Sequence, residues 1–143
     1  ITTHHPKMNV LFDYAMQVDV NFQGNKEGII DISIRFPENK AIDFNLKSWG
    51  DSHLVQAESA EVHNRWEKYL GFDNTQTVEV LLINTPPMYF VYLDSTLIYA
   101  FNDFDPNPGP GNLVIHTFSE RITDPLAIEF DNLKVWDFDV IDY

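Results

Sequence analysis

The sequence predicts an all-β protein, a two-sheet antiparallel β-sandwich of the jelly-roll type. Strand-forming residues are abundant, since Ile and Val together number 23 and Phe, Tyr and Trp number 11, 6 and 3. Apolar and polar residues also alternate at period two in several runs. β-Branched and aromatic residues favour strands, and this alternation is typical of a strand with one face in a core and one in water.

The first half of the chain contains three alternating runs, at residues 14–22, 28–36 and 42–47. In each run apolar side chains occupy every second position, and most of the positions between them are polar. Residues 23–25 and 37–40 separate the runs and have the composition of turns. Strands joined by such short polar turns indicate an antiparallel sheet with one solvated face.

Residues 57–71 break this pattern and allow two interpretations. Val62, Trp66 and Leu70 recur at a helical spacing, and Gly71 follows them as a helix C-terminal residue would. The same segment also fits an edge strand with a loop that crosses the sandwich. The sequence leaves both alternatives open, so the predicted sandwich contains at most one short helix.

The alternation returns in the second half. Strands are predicted at residues 78–82, 88–93, 97–101, 113–118 and 126–138. The second and third of these form a hairpin, and Asp131-Asn132 interrupts the last strand as a bulge would. Trp136, on that last strand, is predicted to lie in the core.

The predicted elements amount to eight or nine strands with no internal repeat and no linker. Two packed sheets in one domain account for them best. The sequence therefore predicts a single β-sandwich domain over residues 1–143, with residues 1–9 as a flexible N-terminal tail.

The charge of the chain excludes two classes of partner. Acidic residues number 22 and basic residues 9, so the formal net charge is −13. Nucleic acids and anionic membrane surfaces both need a basic footprint. No apolar run is long enough to span a bilayer. The sequence also has no cysteine, which excludes disulfides, thiolate metal sites and cysteine nucleophiles.

Several segments resemble one known family. Residues 89–98, YFVYLDSTLI, are similar to a hairpin of concanavalin-A-like and laminin-G-like jelly-roll modules. Residues 128–136, IEFDNLKVW, resemble the closing strand of these modules, and residues 12–22 and 28–36 resemble their opening strand pair. At the hairpin turn the family usually has Asn-Gly or Asp-Gly, whereas residues 94–95 of this chain are Asp-Ser.

The resemblance covers most of the chain. It implies a β-sandwich of the appended, non-catalytic type found in bacteria or archaea. Such modules bind glycans or other proteins outside the cell, which implies an extracellular or cell-surface location.

The sequence contains no recognisable catalytic motif. It lacks a Gly-x-Ser-x-Gly elbow, a phosphate-binding glycine loop and a His-Glu-x-x-His pair. It also lacks Glu-x-Asp-x-x-Glu, which places two carboxylates on one strand of concanavalin-A-like glycosidases. Glu129 and Asp131 share a face on an unbroken strand, but the resemblance makes Asp131 structural. We therefore expect no enzymatic activity.

An acidic loop is the main candidate metal site. Asp103, Asp105 and Asn107 lie in a stretch rich in Pro and Gly, and Ca²⁺ prefers carboxylate and amide oxygens. A solvated loop is the alternative, because Asp and Asn are common turn formers. Asp131 is the second candidate, since related sandwiches hold structural calcium near the closing strand. The alternative is that Asp131 and Asn132 cap the bulge.

Three aromatic side chains are the candidate ligand-binding residues. Sugar rings have flat apolar faces that stack on exposed Trp and Tyr. Trp49 ends a predicted strand and precedes a polar loop, and Trp66 and Tyr69 lie among charged residues. Core packing is the alternative for each of them.

Together these features predict a non-catalytic, extracellular glycan-binding module of lectin type, with structural calcium as its candidate cofactor. The alternative is a structural or protein-interaction module of a surface or multidomain assembly. Open sheet edges would then bind another protein or a second copy of the chain. Glycoside hydrolysis is the third and weakest hypothesis.

Overall fold

The computed structural model describes residues 2–4, 8–11, 13–59, 61–85, 87–102, 111–119 and 128–138. In these residues the chain forms 12 strands and one 3-10 turn, Pro37–Asn39. No helix in this part of the chain has the length and apolar composition of a membrane span. The strands are β1 (Thr2–His4), β2 (Met8–Leu11), β3 (Tyr14–Asn21), β4 (Gly28–Phe36), β5 (Lys40–Lys47), β6 (Asp51–Glu58), β7 (Glu61–Tyr69), β8 (Val78–Thr85), β9 (Met88–Leu93), β10 (Thr96–Asn102), β11 (Gly111–Ser119) and β12 (Glu129–Asp137).

The strands form two sheets. Sheet A has the order β1-β11-β4-β5-β6-β7, with β2 also paired to β11, and sheet B has the order β10-β9-β8-β3-β12. Every strand pair is antiparallel. The predicted two-sheet antiparallel sandwich is confirmed. Strands β4 to β7 are successive neighbours in sheet A, so their outward side chains form one continuous surface.

The core lies between the sheets because alternate side chains of each strand point inward. The Phe44 ring of sheet A meets the edge of the Tyr99 ring of sheet B, with centroids 6.1 Å apart. Tyr99 Oη also lies 2.7 Å from Ser52 Oγ, which joins β10 to β6 across the interior. The largest fully buried side chains are Tyr14, Tyr89, Phe22, Phe44, Met16, Ile30, Ile32, Ile34, Leu46, Leu54, Leu113 and Ile115. Removing this apolar surface from water is the main force that stabilises the sandwich.

Residues 61–69, for which the sequence allowed a helix, form the edge strand β7. The edge-strand alternative is therefore confirmed, and the short helix is wrong. Strand β6 was not predicted. Its inward positions are Ser52, Leu54 and Gln56, so only one of them carries a large apolar side chain. Its alternation is too weak to detect by hydrophobicity, and only the pairing with β5 and β7 identifies it.

The N-terminal residues add two short strands to sheet A. Thr2–His4 and Met8–Leu11 both pair with β11, and the flexible tail over residues 1–9 stays a prediction. The pairing satisfies backbone groups on the side of β11 that faces away from β4.

A bulge in β12 moves Trp136 out of the core. The pairing of β12 with β3 shifts by one residue between Asp131 and Lys134, and Asn132 has a positive φ of 54°. A one-residue shift exchanges the two faces of a strand. Trp136 consequently lies opposite Ala15 on the outer face of sheet B and is 44 % exposed. The predicted bulge is confirmed, and the prediction that Trp136 is a core residue is wrong.

The predicted hairpin is formed by β9 and β10. Leu93 pairs with Thr96, so Asp94 and Ser95 are the two loop residues. Both have positive φ, 47° and 66°, which is the requirement of a type I′ turn. Asp94 Oδ1 also accepts a hydrogen bond from the backbone N–H of Glu79, at 2.9 Å.

Candidate functional site

Most outward side chains of strands β4 to β7 are polar, on the side of sheet A that faces away from sheet B. We call this surface the polar face. Its residues alternate with the buried core residues of the same strands. They are Asp31, Ser33 and Arg35 on β4, Asp43, Asn45 and Lys47 on β5, Asp51 and His53 on β6, and Arg65, Glu67 and Tyr69 on β7.

The strand register places five of the outward side chains in one row. His116 of β11 lies opposite Asp31, Asp31 opposite Asn45, Asn45 opposite His53, and His53 opposite Glu67. Directly opposed side chains on one face are about 5 Å apart at Cβ. The row therefore aligns hydrogen-bonding groups across five strands.

One end of this row is an ion-pair network. Arg65 Nε lies 3.0 Å from Glu67 Oε1, and Arg65 Nη2 lies 3.0 Å from His53 Nδ1. Partial burial lowers the pKa of His53, and the neighbouring cations Lys47 and Arg65 lower it further. The imidazole is therefore neutral at pH 7, so one of its ring nitrogens can accept a hydrogen bond from Arg65. These contacts fix three polar groups in place before a ligand arrives.

Asp31, in the middle of the row, is an unusual carboxylate. Burial, and to a smaller extent the nearby Asp43, raise its pKa from the ordinary 3.8 to about 7, although Arg35 acts in the opposite direction. Its Oδ1 atom is inaccessible to solvent and has no hydrogen-bond partner among the described residues. A buried polar atom without a partner is costly. The unpartnered oxygen therefore disfavours the ionised form of this carboxyl, in line with its raised pKa.

Two aromatic rings flank the polar face where β5 turns into β6. Trp49 Nε1 donates a hydrogen bond to Asp51 Oδ2 at 2.8 Å, and Lys47 Nζ lies 5.2 Å from the centre of the Trp49 ring. Tyr69 lies opposite Asp51 and is 73 % exposed. Its ring packs closely on Gly50, where a Cβ atom would lie 2.8 Å from Tyr69 Cε2. Glycine at this position thus allows the tyrosine to approach the turn.

A shallow depression of about 230 Å³ lies at the other end of the polar face. Ser33, Arg35 and Asp43 contribute its polar groups, and Arg35 Nε donates to Ser33 Oγ at 3.4 Å. Asn39, Lys40, Ala41 and Phe36 complete the lining. The polar face thus runs from an aromatic end to a polar depression.

The structure separates the three predicted ligand-binding aromatics. Trp49 and Tyr69 lie together beside Asp51, as described above. Trp66 points to the opposite side of β7, where its ring centre lies 5.2 Å from that of Phe101. There it forms one wall of a groove between β7 and β10, so it cannot act with the other two on one ligand. The binding role of all three stays a prediction.

Of the predicted metal ligands, the structure describes Asp131 alone. Asp103, Asp105 and Asn107 lie outside the residues that the structure describes. Asp131 is in the β12 bulge, where its Oδ1 accepts a hydrogen bond from the backbone N–H of Asn132 at 2.8 Å. Asn132 Nδ2 in turn donates to Asp19 Oδ2 at 2.8 Å. These are the contacts of a capped bulge, the second of the two alternatives. No group of three or more metal-ligating side chains is present in the described part of the chain, and calcium binding stays a prediction.

No protein-family model matches the sequence, and no curated protein matches it. The comparison with solved structures does find matches. Sheep galectin-11, solved with glycerol, has a TM-score of 0.71 at 11 % identity, over 95 % of this chain and 96 % of that one. The carbohydrate-binding module CBM66 from Bacillus subtilis has a TM-score of 0.68 at 14 % identity, over 88 % of this chain and 76 % of that one. A laminarinase from Flavobacterium sp. UMI-01 has a TM-score of 0.71 at 13 % identity, over 90 % of this chain and 69 % of that one.

All three are concanavalin-A-like jelly-roll sandwiches. The chain has a concanavalin-A-like jelly-roll fold. This confirms the fold that the closing strand and the hairpin implied by resemblance. Because these identities are so low, the likeness establishes the fold alone, and the same fold serves both lectins and glycoside hydrolases.

Proposed function

We propose that this protein binds a glycan on the polar face without cleaving it. The observation that carries the proposal is the arrangement of fixed hydrogen-bonding side chains beside two aromatic rings on one sheet surface. A sugar ring has an apolar face, which stacks on an aromatic ring, and hydroxyls at its edge that need donors and acceptors. Trp49 and Tyr69 would provide the stacking surfaces.

The polar residues have complementary roles in this proposal. Asp31 and Glu67 accept hydrogen bonds from sugar hydroxyls, whereas Arg65 donates them. Asn45 can do both. Because Arg65, His53 and Glu67 already hold one another within 3.0 to 3.5 Å, little side-chain entropy would be lost on binding.

The structural neighbours support this proposal at the level of the fold. They include the module CBM66, which is named as carbohydrate-binding, and a toad galectin solved with thio-digalactose. The latter has a TM-score of 0.68 at 9 % identity. We further propose that the protein acts outside the cell, as an appended module of the kind that the sequence resembles.

Affinity electrophoresis in gels containing plant, algal or bacterial polysaccharides tests the proposal. We expect at least one polysaccharide to retard the protein, and the Trp49→Ala and Asn45→Ala variants to lose most of that retardation. Trp136→Ala is the matched control, because Trp136 is also exposed but lies on the outer face of sheet B. Equal loss in all three variants, or no retardation on any polysaccharide, would contradict the proposal. Parallel gels with calcium and with a chelator test the calcium prediction.

Glycoside hydrolysis is the second candidate, and Asp31 is the observation in its favour. A carboxyl with a pKa of about 7 can donate a proton at neutral pH, and Asp43 lies near enough to raise that pKa. A reducing-end assay on any retained polysaccharide decides between the two functions. Turnover that is lost in both Asp31→Asn and Asp43→Asn would establish hydrolysis, and absence of turnover would favour binding alone.

A further inference from the structure

Strand β7 is an edge of sheet A. It has no neighbour on its outer side among the described residues. Three large apolar side chains are exposed along it: Val62 at 60 %, Trp66 at 37 % and Tyr69 at 73 %. The pairing of β7 with β6 shifts by one residue between Val62 and Asn64, and it is regular from Asn64 to Tyr69. This regular segment, residues 64–69, is the part of the edge to which a further strand can be added.

The backbone of β7 presents hydrogen-bonding groups away from the sheet. Leu70 N donates to Gly50 O at 2.7 Å, so the even-numbered residues of this strand direct their N–H and C=O toward β6. The odd-numbered residues Arg65, Glu67 and Tyr69 therefore direct theirs outward. An antiparallel strand added here must place its own outward residues opposite these three.

We propose that β7 pairs with β7 of a second copy of this chain, about a two-fold axis at Trp66. In this register Arg65 lies opposite the partner's Glu67, and Glu67 opposite the partner's Arg65. Trp66 lies opposite the partner's Trp66, and Lys68 lies opposite the partner's Asn64. Every charged side chain of the regular segment thus faces an opposite charge or a neutral group. Opposite charges at directly opposed positions stabilise a strand pair, and like charges destabilise it.

The neighbouring registers are unfavourable. A two-fold axis at Arg65 places two arginines opposite each other, an axis at Glu67 places two glutamates together, and an axis at Lys68 places two lysines together. A two-fold axis between two residues would place each residue whose N–H and C=O point outward opposite a partner residue whose N–H and C=O point toward its own β6. No hydrogen bonds could then form between the two strands. Electrostatics and hydrogen bonding therefore select the same register.

The dimer joins two copies of sheet A into one continuous sheet, with both polar faces on the same side. The inference about the dimer stands without the proposed function. If a glycan does bind, two sites on one surface would raise the apparent affinity for a repetitive polysaccharide.

Sedimentation velocity of charge-reversal variants tests the dimer. We expect the unmodified chain to dimerise at physiological salt, and Arg65→Glu and Glu67→Arg each to weaken dimerisation at least about tenfold, because each places like charges opposite one another twice. The decisive sample is their equimolar mixture, in which every opposed pair is attractive again. At concentrations at which each variant alone is monomeric, the mixture should form a heterodimer.

The mixture separates the dimer contact from effects within one chain. Each variant lacks its internal Arg65–Glu67 pair, alone or mixed, so only contacts between chains can restore association. Glu129→Arg on β12 is the control with the same change of charge, and it should dimerise normally. Three results would each overturn the proposal: an unmodified chain that is monomeric at all concentrations, single variants that dimerise as tightly as the unmodified chain, or a mixture that associates no more tightly than the single variants.

A cross-linking measurement checks the register independently of charge. The chain has no cysteine. At the two-fold axis the paired Cα atoms are about 4.5 Å apart, which a disulfide can bridge. Trp66→Cys should therefore oxidise to a covalent dimer much faster than Val62→Cys, whose position lies opposite the partner's Leu70. Equal rates would contradict the register.

Discussion

The indole Nε1 of Trp49 donates a hydrogen bond to Asp51 Oδ2 at 2.8 Å. Asp51 begins β6 and lies opposite Tyr69 on the edge strand. One carboxylate thus orients the tryptophan and lies beside the tyrosine, so the two rings belong to one surface. This relationship connects the β5–β6 turn to the hydrogen-bonding row of the polar face.

Removing that carboxylate should weaken glycan binding without unfolding the protein. In Asp51→Ala the Trp49 ring loses its hydrogen-bond acceptor and is no longer held in one orientation. We expect affinity to fall about three- to tenfold, the worth of roughly one hydrogen bond. Titration calorimetry with a retained oligosaccharide measures this. A matched Asp94→Ala variant, which alters the hairpin of sheet B, should bind as tightly as the unmodified chain.

Ionisation of Asp31 should lower the free energy of unfolding at high pH. Its pKa is raised from 3.8 to about 7 in the folded protein. The folded state therefore holds a proton that the unfolded state releases, and stability falls as pH rises from about 4 to about 7. Asp31→Asn should raise the melting temperature at pH 8 by a few degrees, since each pKa unit is worth about 1.4 kcal/mol. This gain should disappear near pH 4.

Thermal unfolding at both pH values gives this comparison, and Glu61→Gln on the exposed edge strand serves as the control. A gain at pH 8 that persists unchanged at pH 4 would mean that the effect of Asp31→Asn is unrelated to ionisation.

Glycan affinity should also depend on pH. A sugar hydroxyl that donates to Asp31 binds the ionised carboxylate better than the protonated one, because charge-assisted hydrogen bonds are the stronger ones. Affinity should therefore rise between pH 5 and pH 8, with a midpoint near the pKa of about 7. Asp31→Asn should remove this dependence. An affinity that is flat across this range in the unmodified chain would exclude Asp31 from the site.

The β9–β10 turn should be stabilised by a residue that adopts positive φ easily. Asp94 and Ser95 both have positive φ, a conformation that Asn and Gly adopt more easily than most residues. Ser95→Gly should therefore raise the free energy of unfolding by up to about 1 kcal/mol, measured by urea denaturation. Asp94 is left in place because its carboxylate bonds to Glu79 N. A destabilised Ser95→Gly variant would show that this turn depends on Ser95 itself.

Sequence alternation predicted the sheets well where one face is strongly apolar. It assigned β3, β4 and β5 and directed Asp31 and Asn45 outward, so two members of the row could be placed on a solvated surface. It could not assemble the site. His53 lies on β6, whose inward face has one large apolar residue, and Glu67 lies on β7, where a helix was an equal alternative. The row of side chains exists only through the pairing of these strands, which periodicity within a strand does not encode.

The error at Trp136 has a similar origin. Periodicity counted from Ile128 and Phe130 places Trp136 inward, but the extra residue at the bulge exchanges the faces. The sequence signalled a bulge at Asp131-Asn132 without specifying how many residues it contains.

The three tryptophans allow one direct test of glycan binding on the polar face. Trp49 lies beside the polar face, Trp66 in the groove between the sheet edges, and Trp136 on the outer face of sheet B. Each indole N–H gives its own signal in a ¹⁵N-labelled NMR spectrum. On titration with oligosaccharides of a polysaccharide that retards the protein, we expect the Trp49 signal to shift and the Trp136 signal to stay fixed. A shift of Trp136 with Trp49 unchanged would place the ligand on the opposite sheet and rule out binding on the polar face.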